Sequence, residues 1–375
     1  MRLAVLNLTG GGASVGYLRY IAAILPRIAA DPEVESVLCA APAGLGLAGR
    51  LEPSPKIKFA ECEPFRFLRH SPDARLAAAL DAFSPDVVFV PLERCLAYKR
   101  VPLVTVLHNM APLAGVSTGC GLLSRIKSGA QAYETRVALK SSAAVIAPTD
   151  YVKEFLTARA GVPSEKVRTI NFGPSPLGAI PRRPAGAEDG VPFIFTAGTM
   201  EQYRGLEDLV GALPGLKAQF PRLRVAVGGG ARPATVPYLN RLKAMSRANG
   251  TEKDISWLGK LSDQEMAWCY RNCSAFVMTS RLESFGFPAL EAMQHGCACV
   301  STASPCLPEI FGDAAVYYQA GDAPALAARL AEVLRRGEDE RLRFSGLAVK
   351  RASAFSWDKA ALLTLEVLKK AASAA

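Results

Sequence analysis

The chain has 375 residues, half of them hydrophobic and 21% charged, with a net charge of +10. That length is too great for one ordinary core and suits two domains of about 100–200 residues each, while the composition excludes extensive disorder. Nine scattered cysteines without a C-x-x-C pair argue against a disulfide framework or a structural zinc site, and fit reduced, buried thiols in a cytoplasmic protein. The positive excess is carried by both halves, so no nucleic-acid module is implied. It suits anionic substrates such as nucleoside diphosphates, or peripheral association with the inner face of an anionic membrane.

In chain order, Leu3–Leu8 reads as a first strand that reaches a glycine cluster within a few residues, rather than as a leader. A helix from Val15 to Ala29 and a strand Ser36–Ala40 follow, with later strands at Val87–Pro91, Leu103–Leu107 and Ala143–Ala147. Each strand is short, apolar and followed by turn or helix signals, the alternation of a parallel sheet covered on both faces. The uncharged stretch Val101–Ser124 holds His108, Asn109 and two prolines, so it reads as a buried strand and loop rather than a membrane span.

The alternation breaks near Asn171, and residues 179–191 have the Pro, Gly and charge content of an exposed linker. An N-terminal domain, 1–178, therefore precedes a C-terminal domain, 192–356. Strands are expected in the second domain at Pro192–Ala197, Leu223–Val227, Ile255–Leu258, Ala275–Thr279, Ala298–Ser301 and Ala315–Tyr317. Residues 357–375 read as a terminal helix packing back on the N-terminal domain. The fold class is α/β, two Rossmann-like βαβ domains facing across a cleft, where ligands of open α/β sheets bind.

The segment from Phe276 runs from an apolar strand into a loop with Glu283, Ser284, Phe285, Gly286 and Phe287, then into a helix that Pro288 opens and Gly296 ends. The amides of Phe285 to Phe287 would face outward at a helix N-terminus, a site for phosphate without a Walker lysine. Glu291 is expected in that helix's first turn, where its carboxylate can accept from vicinal ribose hydroxyls. Glu283, on the loop, could bond sugar hydroxyls beside the same phosphate.

This segment, continued through Cys297–Val300 and Leu307-Pro-Glu-Ile, resembles the E-x7-E motif of the retaining GT-B glycosyltransferases of family 4. The resemblance implies that Glu283 contacts the donor sugar, that the amides of Phe285 to Phe287 hold the diphosphate, and that Glu291 binds the ribose. The stretch Thr196-Ala-Gly-Thr-Met-Glu-Gln-Tyr-Arg-Gly is similar to the family segment whose Arg and Lys clamp the pyrophosphate. Arg204 stands at the Lys position and Thr199 at the Arg position, so one cation is missing and the clamp depends on Arg204. Arg281, beside Glu283, is a candidate to compensate.

Ile255-Ser-Trp-Leu-Gly-Lys also matches the family's strand beside the nucleotide base, making the backbone of Leu258, Gly259 and Lys260 the candidate base contact. The loop with Gly11 and Gly12 faces donor phosphate and acceptor in the family. Its spacing is wrong for a dinucleotide fingerprint, and no acidic residue follows the second strand, which argues against NAD. His108, after its strand, occupies the place of a family His near the donor sugar; His70 and His295 read as structural.

The expected activity is a retaining, hexosyl-type transfer from a nucleoside-diphosphate sugar to a glycan or lipid-linked glycan acceptor, as in polysaccharide assembly. The retaining mechanism belongs to the resemblance: a front-face substitution in which the leaving phosphate accepts the acceptor's proton. No D-x-D triplet occurs, so no metal and no separate cofactor are expected. A nucleotide-sugar epimerase of the same fold, or a catalytically silent nucleotide-binding homologue, are the alternatives. The nucleotide base, the sugar, the acceptor and the oligomeric state stay open.

Overall fold

The structure, a computed structural model, describes residues 1–10, 12–67, 69–98, 101–116 and 121–374. The chain divides into two compact units, one of Met1–Gly115, Lys127–Gly173 and Phe355–Ala375, the other of Val116–Ile126 and Pro174–Ala354. Among the described residues the first unit holds β1 (Arg2–Leu6), β2 (Ser36–Ala41), β3 (Ile57–Glu61), β4 (Val87–Val90), β5 (Leu103–Val106), β6 (Ala144–Ala147) and β7 (Val167–Thr169). They form one parallel sheet in the order β3-β2-β1-β4-β5-β6-β7.

The second unit holds β8 (Phe193–Ala197), β9 (Arg224–Gly228), β10 (Ile255–Gly259), β11 (Ala275–Met278), β12 (Cys299–Thr302) and β13 (Ala315–Tyr318). These too are parallel, in the order β10-β9-β8-β11-β12-β13. The central strands are apolar because both faces are covered by helices: every residue of β4, β8 and β11 is buried. Each fully buried Leu, Ile or Phe in them contributes about 1.5–3 kcal/mol.

Polar residues set where the helices begin. Ser14 Oγ accepts from Tyr17 N at 3.2 Å, and Asp73 accepts from Leu76 N at 3.0 Å. Ser262 and Glu265 bond reciprocally as a capping box at helix Asp263–Asn272.

Two strands carry no clear signal in the sequence, β3 and β7. Both are edge strands, and along each only the first residue is buried, so the apolar run that marks a central strand is absent.

The expected linker is not a free connector. Residues 174–191 belong to the second unit: Arg182 N donates to the Gln264 carbonyl at 3.0 Å, and its guanidinium pairs with Glu265 at 3.2 Å. The division falls at Gly173, ahead of the expected residue 178, and Gly173 packs so closely on Trp357 of the same unit that a Cβ there would lie 2.5 Å from Trp357 N. The terminal helix, Trp357–Ser373, lies in the first unit. Arg27 Nε donates to Asp358 at 2.6 Å, and Trp357 stacks on Phe172 at 6.0 Å.

In each sheet the strand order reverses once, between β1 and β4 and between β8 and β11. Loops leaving the carboxyl ends of such neighbouring strands diverge and leave room for a ligand.

Candidate functional site

In the second unit the loop after β8 carries Gly198, Thr199 and Arg204, and the loop after β11 carries Thr279, Ser280 and Glu283. A pocket opens between them, lined by Gly198, Thr199, Arg204, Thr279 and Ser280. The two loops are strapped together, with Thr279 Oγ1 donating to the Arg204 carbonyl at 2.6 Å and Arg281 N to the Tyr203 carbonyl at 2.8 Å. Contact this close requires glycine at 205, where φ is +61° and a Cβ would lie 2.5 Å from the Thr279 carbonyl oxygen.

Across the pocket the Arg204 guanidinium is ion-paired and hydrogen-bonded to Glu283, and Ser280 Oγ donates to the same carboxylate oxygen at 2.9 Å. Burial works against the Arg204 cation, but Glu283 and Tyr203 outweigh it and hold the group firmly protonated. Arg204 Nε is buried and has no hydrogen-bond partner. A fixed cation with a spare donor beside a carboxylate can hold a phosphate oxygen and a hydroxyl side by side.

Thr199 is exposed and its hydroxyl engages Tyr203. Arg281 is not a spare cation: it bonds Asp208 at 3.0 Å and Glu207 at 3.6 Å, in a support that also receives Tyr318 Oη and Gly321 N on Asp208. Another cation at this edge is Arg232, after β9, paired to the buried carboxylate of Glu201. Its signal in the sequence is the glycine run Gly228–Gly230 before it, which marks a loop at a strand's carboxyl end.

Gly286, in the left-handed conformation, caps helix Phe287–Gln294, with Pro288 in its first turn and Gly296 just beyond its end at φ +71°. Phe285 and Gly286 are buried, while Ser284 and Phe287 are half-buried. Glu291 is the fifth helical residue, not in the first turn as expected. The helix opens at Phe287, so Glu291 points inward from the second turn and is buried. Its carboxylate accepts from Ser175 Oγ at 2.6 Å and from Tyr270 Oη at 2.9 Å, two partners far apart in the sequence.

Leu258 and Gly259 end β10 and Lys260 follows, exposed. Gly259 also accepts from Gly229 N at 2.6 Å, which ties the loops after β9 and β10 together.

In the first unit His108 lies just beyond β5, its ring packed against Tyr17, Tyr20 and Phe172 at 5.7, 4.7 and 5.4 Å. Burial pushes its pKa down to about 4, so the imidazole is neutral at pH 7. The ring hydrogen-bonds the Pro91 carbonyl, which requires a donor there. Nε2, buried and without a partner, is then the acceptor. Glu93, missed in the sequence, accepts from His108 N at 3.2 Å, and burial raises its pKa.

Gly12 is exposed with open space where a Cβ would stand; Gly11 lies outside the described residues. His70 contacts Glu134 at 2.9 Å and His295 bonds the Glu291 carbonyl at 2.9 Å, both structural contacts. Among the described residues no group of three or more His, Cys, Asp or Glu could hold a metal ion, and no helix is long and apolar enough to cross a membrane.

The family model described as Glycosyl transferases group 1 matches residues 181–348, and that described as Glycosyltransferase Family 4 matches residues 19–173. The chain belongs to the GT-B glycosyltransferases of group 1, family 4. Among this family's curated members it is 28% identical over 286 residues to D-inositol 3-phosphate glycosyltransferase of Streptomyces bingchenggensis (strain BCW-1), covering 72% of this chain and 62% of that one. It is 26% identical over 242 residues to O-antigen chain mannosyltransferase B of Escherichia coli, covering 62% of this chain and 61% of that one.

The aligned regions thus span about six-tenths of both relatives. The solved Anabaena Alr3699/HepE, in complex with UDP and glucose, superposes with a TM-score of 0.72 at 17% identity over 99% of this chain and 100% of that one, a likeness of fold. Both of the sequence relatives are named as glycosyl- or mannosyltransferases, not as epimerases.

Proposed function

We propose that the chain is a metal-independent, retaining glycosyltransferase that moves a hexosyl group from a nucleoside-diphosphate sugar to a glycan or lipid-linked glycan acceptor. The observation that carries this reading is the Arg204–Glu283 pair at the reversal between β8 and β11. Arg204 would hold the diphosphate, with the positive end of helix Phe287–Gln294 beside it. Glu291 would take the ribose hydroxyls in place of Ser175 and Tyr270, and the backbone of Leu258 to Lys260 the base. Glu283 would bond a donor-sugar hydroxyl while keeping Arg204 in place.

On the first unit, the neutral His108 would turn its unpartnered ring nitrogen to a sugar hydroxyl, and the exposed Gly12 would bring its backbone close. In the transfer, the bond from the anomeric carbon to the phosphate oxygen breaks as its bond to the acceptor oxygen forms, and the acceptor's proton passes to the departing phosphate. Arg204 stabilises the charge that develops there, an effect of about 3 kcal/mol or more in a preorganised site. A cation already fixed by Glu283 supplies this without a divalent ion.

Cytoplasmic placement with peripheral contact to an anionic membrane face belongs to the same reading. Its support is helix Leu122–Ser141, where Leu122, Leu123, Ile126 and Tyr133 are exposed and the exposed charges, Arg125, Lys127, Arg136 and Lys140, are all basic.

The test is incubation with UDP-, GDP- and dTDP-hexoses and lipid-linked glycan acceptors, following nucleoside diphosphate release and the anomeric configuration of the product by NMR. Acceptor-dependent release with retained configuration supports the proposal. An inverted product, or donor conversion without acceptor, refutes it.

A further inference from the structure

Two cysteines of the second unit, neither of them lining the pocket beside Arg204, lie in contact. Cys273 caps the carboxyl end of helix Asp263–Asn272, its N–H donating to the Cys269 carbonyl at 2.9 Å. Cys297 lies in the turn between helix Phe287–Gln294 and β12. They are 24 residues apart in the sequence, yet their sulfurs are 3.9 Å from each other. Both thiols also donate to one acceptor, the Tyr270 carbonyl, at 3.6 and 3.1 Å.

Two sulfurs in van der Waals contact need to close by only about 2 Å to bond, since a disulfide spans about 2.05 Å. Neither cysteine lies inside a helix or a strand, so the closure falls on two connecting turns and not on regular hydrogen-bonded structure. Access is unequal, because Cys273 is partly exposed and Cys297 is buried. Cys273 is thus the thiol that a small oxidant reaches, and Cys297 the one that follows. The adjacent Cys297 thiol, and then burial, push the Cys273 pKa up, so thiolate is scarce at pH 7 and the pair reacts only with a sustained oxidant.

Tyr270 joins this pair to the candidate donor site. Its carbonyl receives the two thiols, its hydroxyl donates to Glu291 at 2.9 Å, and its ring stacks on His295 at 5.1 Å. From the other side, Cys297 N donates at 3.0 Å to the carbonyl of Ala292, the residue after Glu291. A bond drawn between the sulfurs therefore pulls both on the turn that carries Tyr270 and on the end of the helix that carries Glu291.

We infer that Cys273 and Cys297 are a redox-sensitive pair whose closure to a disulfide displaces Glu291 and weakens nucleotide binding. The oxidant is hydrogen peroxide. The Cys273 sulfur attacks one peroxide oxygen, the O–O bond breaks, and a sulfenic acid and one water result; the Cys297 sulfur then displaces the hydroxyl, which leaves as a second water. Two electrons pass from the sulfurs to the peroxide, and both thiol protons end in water. The pair stands on its own geometry; only its effect on binding rests on the donor reading of Glu291.

The experiment treats the reduced full chain with hydrogen peroxide, maps its peptides by mass spectrometry without reductant, and titrates UDP and GDP by calorimetry before and after. A cross-linked Cys273–Cys297 peptide is expected, with a nucleotide Kd raised about threefold or more and restored by dithiothreitol. Cys273→Ser, at the partly exposed position, should bind nucleotide as the reduced wild type does and lose both the cross-link and the response. Cys297→Ser should behave in the same way.

Absence of the cross-link, a different dominant pairing, unchanged affinity in the cross-linked protein, or a response that survives Cys273→Ser overturns the inference. If neither nucleotide binds the reduced wild type, the donor reading fails and takes the effect on binding with it, while the peptides still decide whether the pair closes.

Discussion

Arg204 spends one end of its guanidinium on Glu283 and leaves Nε buried without a partner. The pair is therefore both a positioned cation and an unfilled donor. Replacing Arg204 by Ala is expected to lower kcat by about a hundredfold or more, the scale of removing one preorganised charge partner. Arg204→Lys, restoring the family's usual residue, should retain activity within about tenfold. Steady-state kinetics at saturating donor and acceptor measures both; equal losses in the two variants would show that charge at this position is not what matters.

The Glu291 carboxylate accepts from both Ser175 and Tyr270. Glu291→Ala should raise the donor KM by about tenfold or more, with a smaller effect on kcat, as expected for a contact made equally in ground and transition states. It should also cost about 1–3 kcal/mol of stability, because two donors lose their acceptor. Urea melts alongside donor titrations separate the effects. A normal KM in a destabilised protein would reduce Glu291 to a structural acid.

The close strap at Gly205 predicts a contrast between two glycines. Gly205→Ala must adopt a positive φ and drive its Cβ against the Thr279 carbonyl, whereas Gly250, at φ +69°, has nothing within 4 Å. Gly250→Ala should cost about 1 kcal/mol from backbone strain alone. Gly205→Ala should cost more and reduce turnover, since the displaced segment ends in Arg204. Thermal melts with activity assays test this, and equal effects would contradict it.

The second strand set and the E-x7-E segment were legible because central parallel strands are continuous apolar runs and because Pro288 and Gly296 bracket their helix. The edge strands β3 and β7 were not, since one exposed face erases the run. Glu283 and Arg204 could be named singly, but nothing in a linear sequence reveals that residues 79 apart are paired. Arg281 was misread for the same reason: it lies in the loop after β11, while its partners Glu207 and Asp208 lie on helix Leu206–Gln219. Ser175 looked like part of a chain break and proves to be a contact of Glu291.

His108 makes a pH prediction. Its folded pKa, about 4, lies below the usual 6.5, so the unfolded chain binds the extra proton first as pH falls. The stability linked to His108 is fully present above pH 6.5 and is lost as pH falls from 6.5 to about 4, by up to about 3 kcal/mol. His108→Gln should lack this part of the acid slope. Urea denaturation of both proteins at pH 7, 5.5 and 4.5 checks it; parallel slopes would mean that the ring is not held neutral.

The most direct test of the donor site is calorimetric titration of UDP and GDP into the wild-type chain, Arg204→Ala and Glu291→Ala. At least one nucleotide should bind the wild type, and each variant should weaken it about tenfold or more while remaining folded. Equal affinity in all three proteins, or no binding of either nucleotide to the wild type, would contradict a donor site built on Arg204, Glu283 and Glu291.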